Sequence, residues 1–279
     1  ILNFGSINID YVYEVQNFVQ PGETIASQGF QTYIGGKGCN QSAAIAKAGV
    51  EVFHAGNISE TGLFIKTQLE KWKVNTDFIN TIKTPTGHAI IQVNENGENA
   101  IIIHGGANQT ITEQQIDDTL EHFEKGDFLL IQNEINAISL LIKKAKKRKM
   151  KVIFNPAPMT KSVLDYPLEL VDIFIVNETE AEGLANQKGI DNIISNLKFR
   201  FPKTTFVLTL GKNGSILFHN NPLIETKAKQ VKAIDTTAAG DTCIGYCVAG
   251  LANEFHFEAA LELATQAAAK TVTRKGGAI

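Results

Sequence analysis

The sequence has 279 residues, of which 43% are hydrophobic and 20% charged, and 26 basic against 29 acidic residues give a net charge of −3. This balance argues against nucleic acid or a membrane surface as a partner, and the length suits a large α/β domain. No apolar run of about 18 residues and no leader peptide is found. The chain begins at Ile1 without Met, so we expect a few N-terminal residues to be missing. The three cysteines, Cys39, Cys243 and Cys247, form no CxxC pair, which predicts reduced thiols in a cytoplasmic protein.

The first predicted strand ends in Gly5-Ser6-Ile7-Asn8-Ile9-Asp10. In open α/β sheets, ligands bind beyond the carboxyl ends of the strands, so this segment is a candidate ligand contact. Asn8 and Asp10 lie two residues apart, and on an extended chain their side chains point to the same side. An amide beside a carboxylate suits the hydroxyls of a sugar. Taken alone, however, the spacing favours a turn over a ligand site.

Two stretches show strand patterns without a helix between them. They are residues 11–34, with Pro21-Gly22 as a turn, and residues 87–104, with a turn at 94–97. Both patterns predict antiparallel hairpins, which we expect to pair as a small β-sheet lid over the strand ends. Because no internal repeat or linker is found, residues 1–279 are predicted to be a single α/β domain that carries this discontinuous lid.

Between the two hairpins lies Gly35-Gly36-Lys37-Gly38-Cys39-Asn40-Gln41. Glycines beside a lysine invite comparison with known phosphate loops. A Walker A loop would need a glycine in place of Gln31 and a serine or threonine in place of Gly38. A dinucleotide-binding fingerprint would need a glycine in place of Gln41, which argues against an NAD-dependent dehydrogenase. The segment therefore matches neither loop.

The same glycine-rich segment precedes a predicted helix over residues 42–48. We interpret it as a backbone turn that presents Lys37 and Asn40 to a polyhydroxylated ligand. The alternative is a glycine-rich turn with an exposed lysine and no ligand.

The second half of the chain alternates short β-branched runs with helical periodicity. This order predicts parallel strands joined by crossover helices, hence a mostly parallel open sheet with helices on both faces. The basic run from Lys143 to Lys151 is assigned to the exposed end of one such helix. The predicted elements are strands over 128–132, 151–155, 173–176 and 205–208 and a helix over 138–147.

Two strand ends in this half suit a nucleotide. Asn177-Glu178-Thr179-Glu180 stands at a strand-to-helix junction. A carboxylate there is an ordinary residue of a first helical turn, and it is also placed to hold hydrated Mg²⁺ through water. Thr209-Leu210-Gly211 forms a similar turn after the next strand.

The segment with the most pronounced chemistry is Asp235-Thr236-Thr237-Ala238-Ala239-Gly240-Asp241-Thr242, before a predicted helix over 243–251. Small residues at 238–240 let the backbone approach a ligand, and the N–H groups of a first helical turn can bind an anion. Asp241 would then be a proton acceptor beside a phosphate cradle. The alternative, that Asp235 or Asp241 only caps the helix, is equally supported by the spacing.

Taken together, these segments resemble the PfkB family of carbohydrate kinases, and within it the ribokinases. The resemblance rests on nine segments in the same order. They are GSINID at 5–10, PGET at 21–24, GGKGCNQ at 35–41, GENAIIIHGGAN at 97–108, NPAP at 155–158, NETEAE at 177–182, TLGKNG at 209–214, DTTAAGDT at 235–242 and VTRKG at 272–276.

The resemblance implies a ribokinase-like fold, ATP as phosphoryl donor, Mg²⁺, activation by K⁺ and a homodimer formed through the lids. It implies that Asp241 is the base that accepts the proton of the sugar hydroxyl and that Ala238, Ala239 and Gly240 supply the anion hole. The sugar contacts implied are Asn8, Asp10, Gly36, Lys37, Asn40, Glu134 and Asp241. The nucleotide contacts implied are Asn177, Thr209, Gly211 and Gly214, with Glu180 acting on Mg²⁺ through water and Asp235 and Thr237 forming part of the K⁺ site.

The sequence departs from the family pattern after the DTTAAGDT segment. Cys243 and Ile244 replace a Phe-Asn type of sequence, Tyr246 stands where a small residue is usual, and Thr237 brings a hydroxyl to a position that is often apolar. The chain also ends at Ile279, where the family continues with a segment that helps to complete the cation and nucleotide sites. We therefore expect the C-terminal end to be missing and the K⁺ site to be incomplete.

Within the family, Lys37 and the GGKG-x-N-Q string resemble the ribokinases more than the adenosine kinases, fructokinases or 2-keto-3-deoxygluconate kinases. Asn8 supplies a polar partner for a 2-hydroxyl, which favours ribose over 2-deoxyribose. The expected reaction is ATP-dependent phosphorylation of D-ribose at its 5-hydroxyl. The alternatives are another kinase of the family, acting on 2-deoxyribose, a nucleoside or another sugar, and a non-catalytic sugar-binding protein on the same fold.

Overall fold

The computed structural model describes residues 1–219 and 223–274. The strands in these ranges are β1 Leu2–Phe4, β2 Asn8–Glu14, β3 Gly29–Gly35, β4 Phe53–Ile58, β5 Asn75–Thr81, β6 Gly87–Val93, β7 Asn99–His104, β8 Phe128–Gln132, β9 Lys151–Asn155, β10 Ile173–Asn177, β11 Thr205–Thr209, β12 Ser215–Phe218 and β13 Ile224–Thr226. The α-helices are α1 Lys37–Lys47, α2 Leu63–Lys71, α3 Glu113–Leu120, α4 Ile138–Lys147, α5 Glu178–Ala185, α6 Ile190–Arg200, α7 Ala239–Ala252 and α8 Phe257–Thr271.

Nine strands form one sheet in the order β13-β12-β11-β10-β9-β8-β1-β4-β5. The strands from β11 to β5 are parallel, whereas β12 and β13 add an antiparallel edge. This confirms the predicted open sheet. The strands predicted over 173–176 and 205–208 each run one residue further, to Asn177 and Thr209.

Both faces of this sheet are buried, because hydrophobic side chains alternate between two helical layers. In β8, Leu129 and Ile131 pack into a cluster with α3, α4, α5 and α6, whereas Leu130 packs on the other face with α1, α2, α7 and α8. All three side chains are 0% exposed. Each buried leucine or isoleucine contributes about 1.5–3 kcal/mol, so the sheet is a rigid base for the loops at its carboxyl edge.

Four further strands form a separate small sheet in the order β3-β2-β6-β7. The predicted hairpins are β2–β3 and β6–β7, both antiparallel. A parallel pairing of β2 with β6, from Asn8 opposite Gly87 to Glu14 opposite Val93, joins them. The small sheet begins at Asn8, three residues before the predicted boundary at 11, and therefore includes both Asn8 and Asp10.

Two helices begin earlier than predicted. Helix α1 starts at Lys37 rather than at residue 42, and α7 starts at Ala239 rather than at residue 243. Contacts distant in sequence stabilise the first turn of α1, since Cys39 N donates to Ser6 O at 3.0 Å. The interpretation of residues 35–41 as a turn that presents Lys37 and Asn40 is therefore wrong in detail, because both residues belong to the helix.

The three cysteines are unpaired, as predicted for reduced thiols. Burial raises the pKa of Cys39 and Cys247, and it raises the pKa of Cys243 to about 11. Within the described ranges, no helix combines the length and apolarity needed to cross a membrane.

Candidate active site

The carboxyl edge of the large sheet meets the first turns of α1, α5 and α7 around a cavity of about 210 Å³. This is the edge where the sequence predicted ligand contacts. Seven predicted site residues line the cavity: Lys37, Asn177, Glu180, Thr209, Ala238, Gly240 and Asp241. With Asn155 and Ala157, which also line the cavity, residues from five separate segments of the chain converge on one space.

Asp241, in the first turn of α7, is held by two amide side chains of α1. Asn40 Nδ2 donates to Asp241 Oδ2 at 3.0 Å, and Gln41 Nε2 donates to Asp241 Oδ1 at 2.9 Å. Asn40 Oδ1 is buried and has no hydrogen-bond partner among the described residues. An unpaired acceptor beside the carboxylate suits a ligand hydroxyl.

The capping interpretation of Asp241 and Asp235 is wrong. The residue before α7 is Ala238, whose methyl group cannot accept a hydrogen bond, and within the described chain α7 has no side-chain cap. The carboxylate of Asp241 is engaged by α1 instead, and Asp235 Oδ1 accepts from Thr237 N at 2.8 Å. Ala238 adopts a left-handed conformation, with φ of 55°, that turns the chain into the helix.

The turn at 238–240 leaves room for an anion. A β-carbon on Gly240 would have no atom within 4 Å, so the backbone there borders open space. The N–H groups of a first helical turn point outward and carry the positive end of the helix dipole. Gly240 thus has the space that the predicted phosphate cradle needs, whereas Ala239 N donates to Thr236 O at 3.3 Å.

Lys37 forms an ion pair with Glu134, which lies after β8. The Nζ to Oε1 distance is 3.6 Å, with the side chains 33% and 12% exposed. Glu134 Oε2 also accepts from Lys37 N at 3.0 Å and from the hydroxyl of Ser6. Glu134 is thereby fixed against the start of α1. It lies beside Lys37, with which the family resemblance grouped it as a sugar contact.

The pKa values of Asp241 and Lys37 are shifted because several charged groups lie close together in a largely buried space. Burial raises the pKa of Asp241, although Lys37 and the amides of Gln41 and Asn40 oppose this effect. Burial lowers the pKa of Lys37, but Glu134, Asp241 and Glu180 outweigh it and leave that pKa above its usual value. A protonated lysine therefore stands among several carboxylates.

Asp10 lies on β2 near the same charges. Burial, followed by repulsion from Glu134, raises the pKa of Asp10 to about 6, while Lys37 opposes the shift. A β-carbon on Gly35 would overlap the Asp10 carboxylate, so the glycine makes room for this side chain. Gly36 has φ of 90°, which favours glycine at the start of α1.

Asn8 is buried and already has a protein partner. Its Oδ1 accepts from Asn108 Nδ2 at 2.7 Å, and Asn108 Oδ1 in turn accepts from Ile7 N at 2.9 Å. This pairing leaves the two N–H groups of the Asn8 amide, which have no partner among the described residues, to donate to a ligand.

Glu180 completes a capping box at the start of α5. Its Oε2 accepts from Asn177 N at 3.0 Å and from Asn155 Nδ2 at 3.1 Å, and Asn177 Oδ1 accepts from Glu180 N. The interpretation of Glu180 as a residue of the first turn of a helix is therefore confirmed. Burial raises the pKa of Glu180. A carboxylate with this many protein donors fits contact with Mg²⁺ through water better than direct coordination.

A second cavity, of about 310 Å³, adjoins the first and shares Thr209 and Gly240 with it. Its lining includes the predicted nucleotide contacts Gly211 and Gly214, while Asn177 lines the first cavity. Small and apolar residues of α7 and α8, among them Ala239, Cys243 and Ala268, form part of the wall, together with Val272 directly after α8. The two cavities meet at the start of α7, next to Asp241.

The whole chain, residues 1–279, matches the pfkB family of carbohydrate kinases. The chain belongs to this family. The kinase is 37% identical to a ribokinase of Haemophilus influenzae over 98% of this chain and 92% of that protein. It is 30% identical to a deoxyribokinase of Salmonella typhi over 98% and 92% of the two chains. The structure of Arabidopsis thaliana ribokinase complexed with ribose and ATP matches with a TM-score of 0.86 and 28% identity, covering 99% and 93% of the two chains.

Two predicted K⁺ residues of this carbohydrate kinase, Asp235 and Thr237, precede α7 and line neither cavity. They are joined to each other by the hydrogen bond already described, and Thr237 is exposed. Residues 275 and 276 of the VTRKG segment lie outside the described residues. Cys243 and Tyr246, two of the departures from the family pattern, pack against the hydrophobic cluster beneath α7.

Sequence reasoning missed four polar residues that organise the site of the kinase. Ser6 binds Glu134, Asn108 binds Asn8, and Gln41 and Asn155 bind the carboxylates of Asp241 and Glu180. All four lie within segments that carry the family resemblance, and Asn155 also ends β9. The available signal for these residues was the presence of a polar side chain among small or apolar ones.

Proposed function

We propose that this carbohydrate kinase transfers the γ-phosphoryl group of ATP to the 5-hydroxyl of D-ribose, giving ribose 5-phosphate and ADP. The observation that carries the proposal is the position of Asp241. Its carboxylate stands where a polar cavity meets a second cavity lined by the predicted nucleotide contacts, in the first turn of a helix without a side-chain cap.

In this proposal, Asp241 accepts the proton of the 5-hydroxyl as the sugar oxygen bonds to the γ-phosphorus. The bond from that phosphorus to the β–γ bridging oxygen breaks, and ADP leaves with the electron pair. Charge on the transferred group is stabilised by the N–H group of Gly240 and by the dipole of α7. Ala239 N donates to Thr236 O at 3.3 Å, so this bond would open for Ala239 to join the anion hole. The amide donors on Asp241 favour its ionised form, which is the form that accepts a proton.

The polar cavity and its surroundings would hold the sugar. We assign hydroxyl contacts to Asp10, to the free amide N–H groups of Asn8 and to the buried Oδ1 of Asn40. Lys37 and Glu134 act as a fixed pair of donor and acceptor beside them, and Gly36 brings the backbone close. These roles follow from the hydrogen-bonding capacity left over after the protein's own contacts are counted.

The second cavity would hold the nucleotide against Thr209, Gly211 and Gly214, with Asn177 near its phosphates. Glu180 would act on Mg²⁺ through water, and the ion would supply charge neutralisation at the β- and γ-phosphates. Asp235 and Thr237 would contribute to a K⁺ site, so we expect turnover to be higher in K⁺ than in Na⁺.

Residues 1–279 would act as one domain, with the small sheet as a lid and as the surface of a homodimer in the cytoplasm. The small sheet exposes large apolar side chains, which supports a partner on its surface. They include Phe30 at 53% exposure, Ile102 at 66% and Ile103 at 58%. Sedimentation of the protein with and without Ile102→Lys would test this, because the added charge should leave a monomer.

The substrate assignment is tested by release of ADP from ATP·Mg²⁺ with ribose, 2-deoxyribose, fructose and adenosine as acceptors. We expect the highest kcat/KM for ribose, exceeding that for 2-deoxyribose by at least about tenfold, since the missing hydroxyl would leave the amide N–H groups of Asn8 without an acceptor. A higher kcat/KM for 2-deoxyribose or adenosine would reassign the substrate. No turnover with any acceptor would favour a non-catalytic sugar-binding protein.

A further inference from the structure

Behind Asp241, a chain of buried amide side chains connects the base to the large sheet. Gln41 Nε2 donates to Asp241 Oδ1 at 2.9 Å and to Asn155 Oδ1 at 3.4 Å. Gln41 Oε1 accepts from Gln132 Nε2 at 2.7 Å. Gln41 and Gln132 are both 0% exposed. The Asp241 carboxylate is thus hydrogen-bonded to Gln41 of α1, which is in turn hydrogen-bonded to Gln132 of β8.

Gln132 is fixed in turn by the first strand. Its Nε2 also donates to Asn3 Oδ1 at 3.0 Å, and Asn3 Nδ2 donates to Gly38 O and Ser42 Oγ, both at 2.8 Å. A primary amide has two N–H hydrogens. Asn3, Gln41 and Gln132 each use both of theirs, so none of these amides can rotate without losing two hydrogen bonds.

Packing alone does not explain this chain. Burying an amide costs free energy that an apolar side chain of similar volume avoids. Room has also been left for it, since a β-carbon on Gly5 would lie only 2.5 Å from Gln132 Oε1. From Gln132, the branch of donors through Gln41 ends on carboxylates, at Asp241 directly and at Glu180 through Asn155. The branch through Asn3 ends on Gly38 O and Ser42 Oγ and ties the network to α1.

We propose that Gln41 is a positioning residue for Asp241 and that Gln132 holds Gln41 in the orientation this requires. Gln41 fixes Oδ1 of the carboxylate, so that the reactive lone pairs face the cavity in one rotamer. The inference rests on the proposed function, in which Asp241 is the base, and it adds residues that need not touch either substrate.

Removing the Gln41 donor also has a predictable electrostatic effect. The charged groups that act on Asp241 are Lys37 of α1, Glu134 after β8 and Glu180 of α5. Lys37 favours the carboxylate, whereas the two acids oppose it. Loss of a hydrogen bond to the charged form shifts this balance towards the protonated acid and raises the pKa of Asp241.

The test compares Gln41→Met and Gln132→Met with Gln115→Met as a matched control. Gln115 is another buried glutamine, 9% exposed, and it donates to Gly56 O at 3.4 Å. For Gln41→Met we expect kcat to fall by about 10- to 100-fold with KM for ribose and ATP within about threefold, because misplacement acts on the chemical step. The acid limb of the pH profile of kcat/KM should move to higher pH, because the pKa of Asp241 rises.

We expect Gln132→Met to change kcat and the acid limb in the same direction but less, and Gln115→Met to lower only the melting temperature. A purely structural role predicts equal losses of stability and an unchanged acid limb in all three variants. If Gln41→Met does not fold, the test rests on Gln132→Met. A kcat and a pH dependence equal to those of the wild type in Gln132→Met would overturn the proposal. Absence of kinase activity in the wild type would instead refute the proposed function.

Discussion

The cavity beside Asp241 and the cavity beside Gly214 share two residues but are built differently. Around Asp241, charged and amide side chains hold one another in place through hydrogen bonds between α1, α5, α7 and the strand ends. Around Gly214, the wall is mostly apolar and includes glycine backbone, although Lys212, Lys229 and Gln230 also border it. The functional groups of the first cavity are side-chain atoms, whereas the part of the second cavity at Gly211 and Gly214 is shaped by backbone.

This difference predicts opposite sensitivities. In the side-chain cavity, removing or neutralising one functional group should abolish chemistry while the fold persists. In the backbone-shaped cavity, removing a side chain should matter little, whereas adding one carbon should block binding. The following experiments test this contrast, beginning with the largest expected effect.

Asp241→Asn should lower kcat by about 10³-fold or more, since the amide cannot accept the proton, while ribose binding by calorimetry remains measurable. Asp191→Asn is the matched control, because Asp191 also stands in the first turn of a helix. Equal losses in both variants would point to a general effect of removing a first-turn carboxylate on the fold rather than to proton transfer. Unchanged turnover in Asp241→Asn would remove Asp241 as the base.

Gly214→Ala should raise KM for ATP by at least about tenfold and lower the melting temperature, because its β-carbon would overlap the carbonyl oxygen of Thr226. The control is Gly49→Ala. Gly49 also has a positive φ, 84° against 99° for Gly214, but its β-carbon would have no atom within 4 Å. The control therefore carries only backbone strain, about 1–2 kcal/mol for a residue with a β-carbon at positive φ. Similar KM values for ATP in the two variants would show that the cavity wall is adaptable.

Asp10→Asn should weaken ribose binding but stabilise the fold near pH 7.5. The pKa of Asp10 in the folded protein is about 6 against 3.8 for the free group, so the folded state binds this proton more tightly. Its contribution to stability is therefore largest below pH 4 and declines as the pH rises through 6.

Asparagine removes that penalty, and urea unfolding should show a gain of about 1–2 kcal/mol at pH 7.5 that disappears below pH 4. Asp165→Asn, at an exposed position outside the site, should give no such gain. A loss of stability at pH 7.5 in Asp10→Asn would mean that the carboxylate forms favourable contacts that outweigh its burial.

Much of the fold could be predicted because its signals are local. The strands β8 to β11 are short β-branched runs, and the two hairpins are marked by turn residues. The starts of α1 and α7 could not be read locally, because Gly35-Gly36 and Ala238-Ala239-Gly240 are typical of turns. In α1, contact with Ser6 more than thirty residues earlier converts the turn into helix, with Cys39 N donating to Ser6 O.

The candidate site was likewise predictable only where its signals are local. Lys37, Asn40 and Asp241 stand in motifs that indicate chemistry, and the structure brings them together. Gln41 was visible in the same motif, but its partner Asp241 lies 200 residues away and Gln132 lies 91 residues away. The motif marks Gln41 as a polar residue among small ones, but nothing in the local pattern shows which group its side chain contacts.

The first turns of α1 have a further consequence for changes in chain length. Lys37, Asn40 and Gln41 are spaced so that they share one face of the helix, towards Glu134 and Asp241. One inserted or deleted residue would rotate the following side chains by about 100° and move both amides off the base together. Residues 16–27, largely exposed between β2 and β3, carry no such coupling. In an insertion library, active clones should thus tolerate added residues at 16–27 and exclude them between 36 and 41.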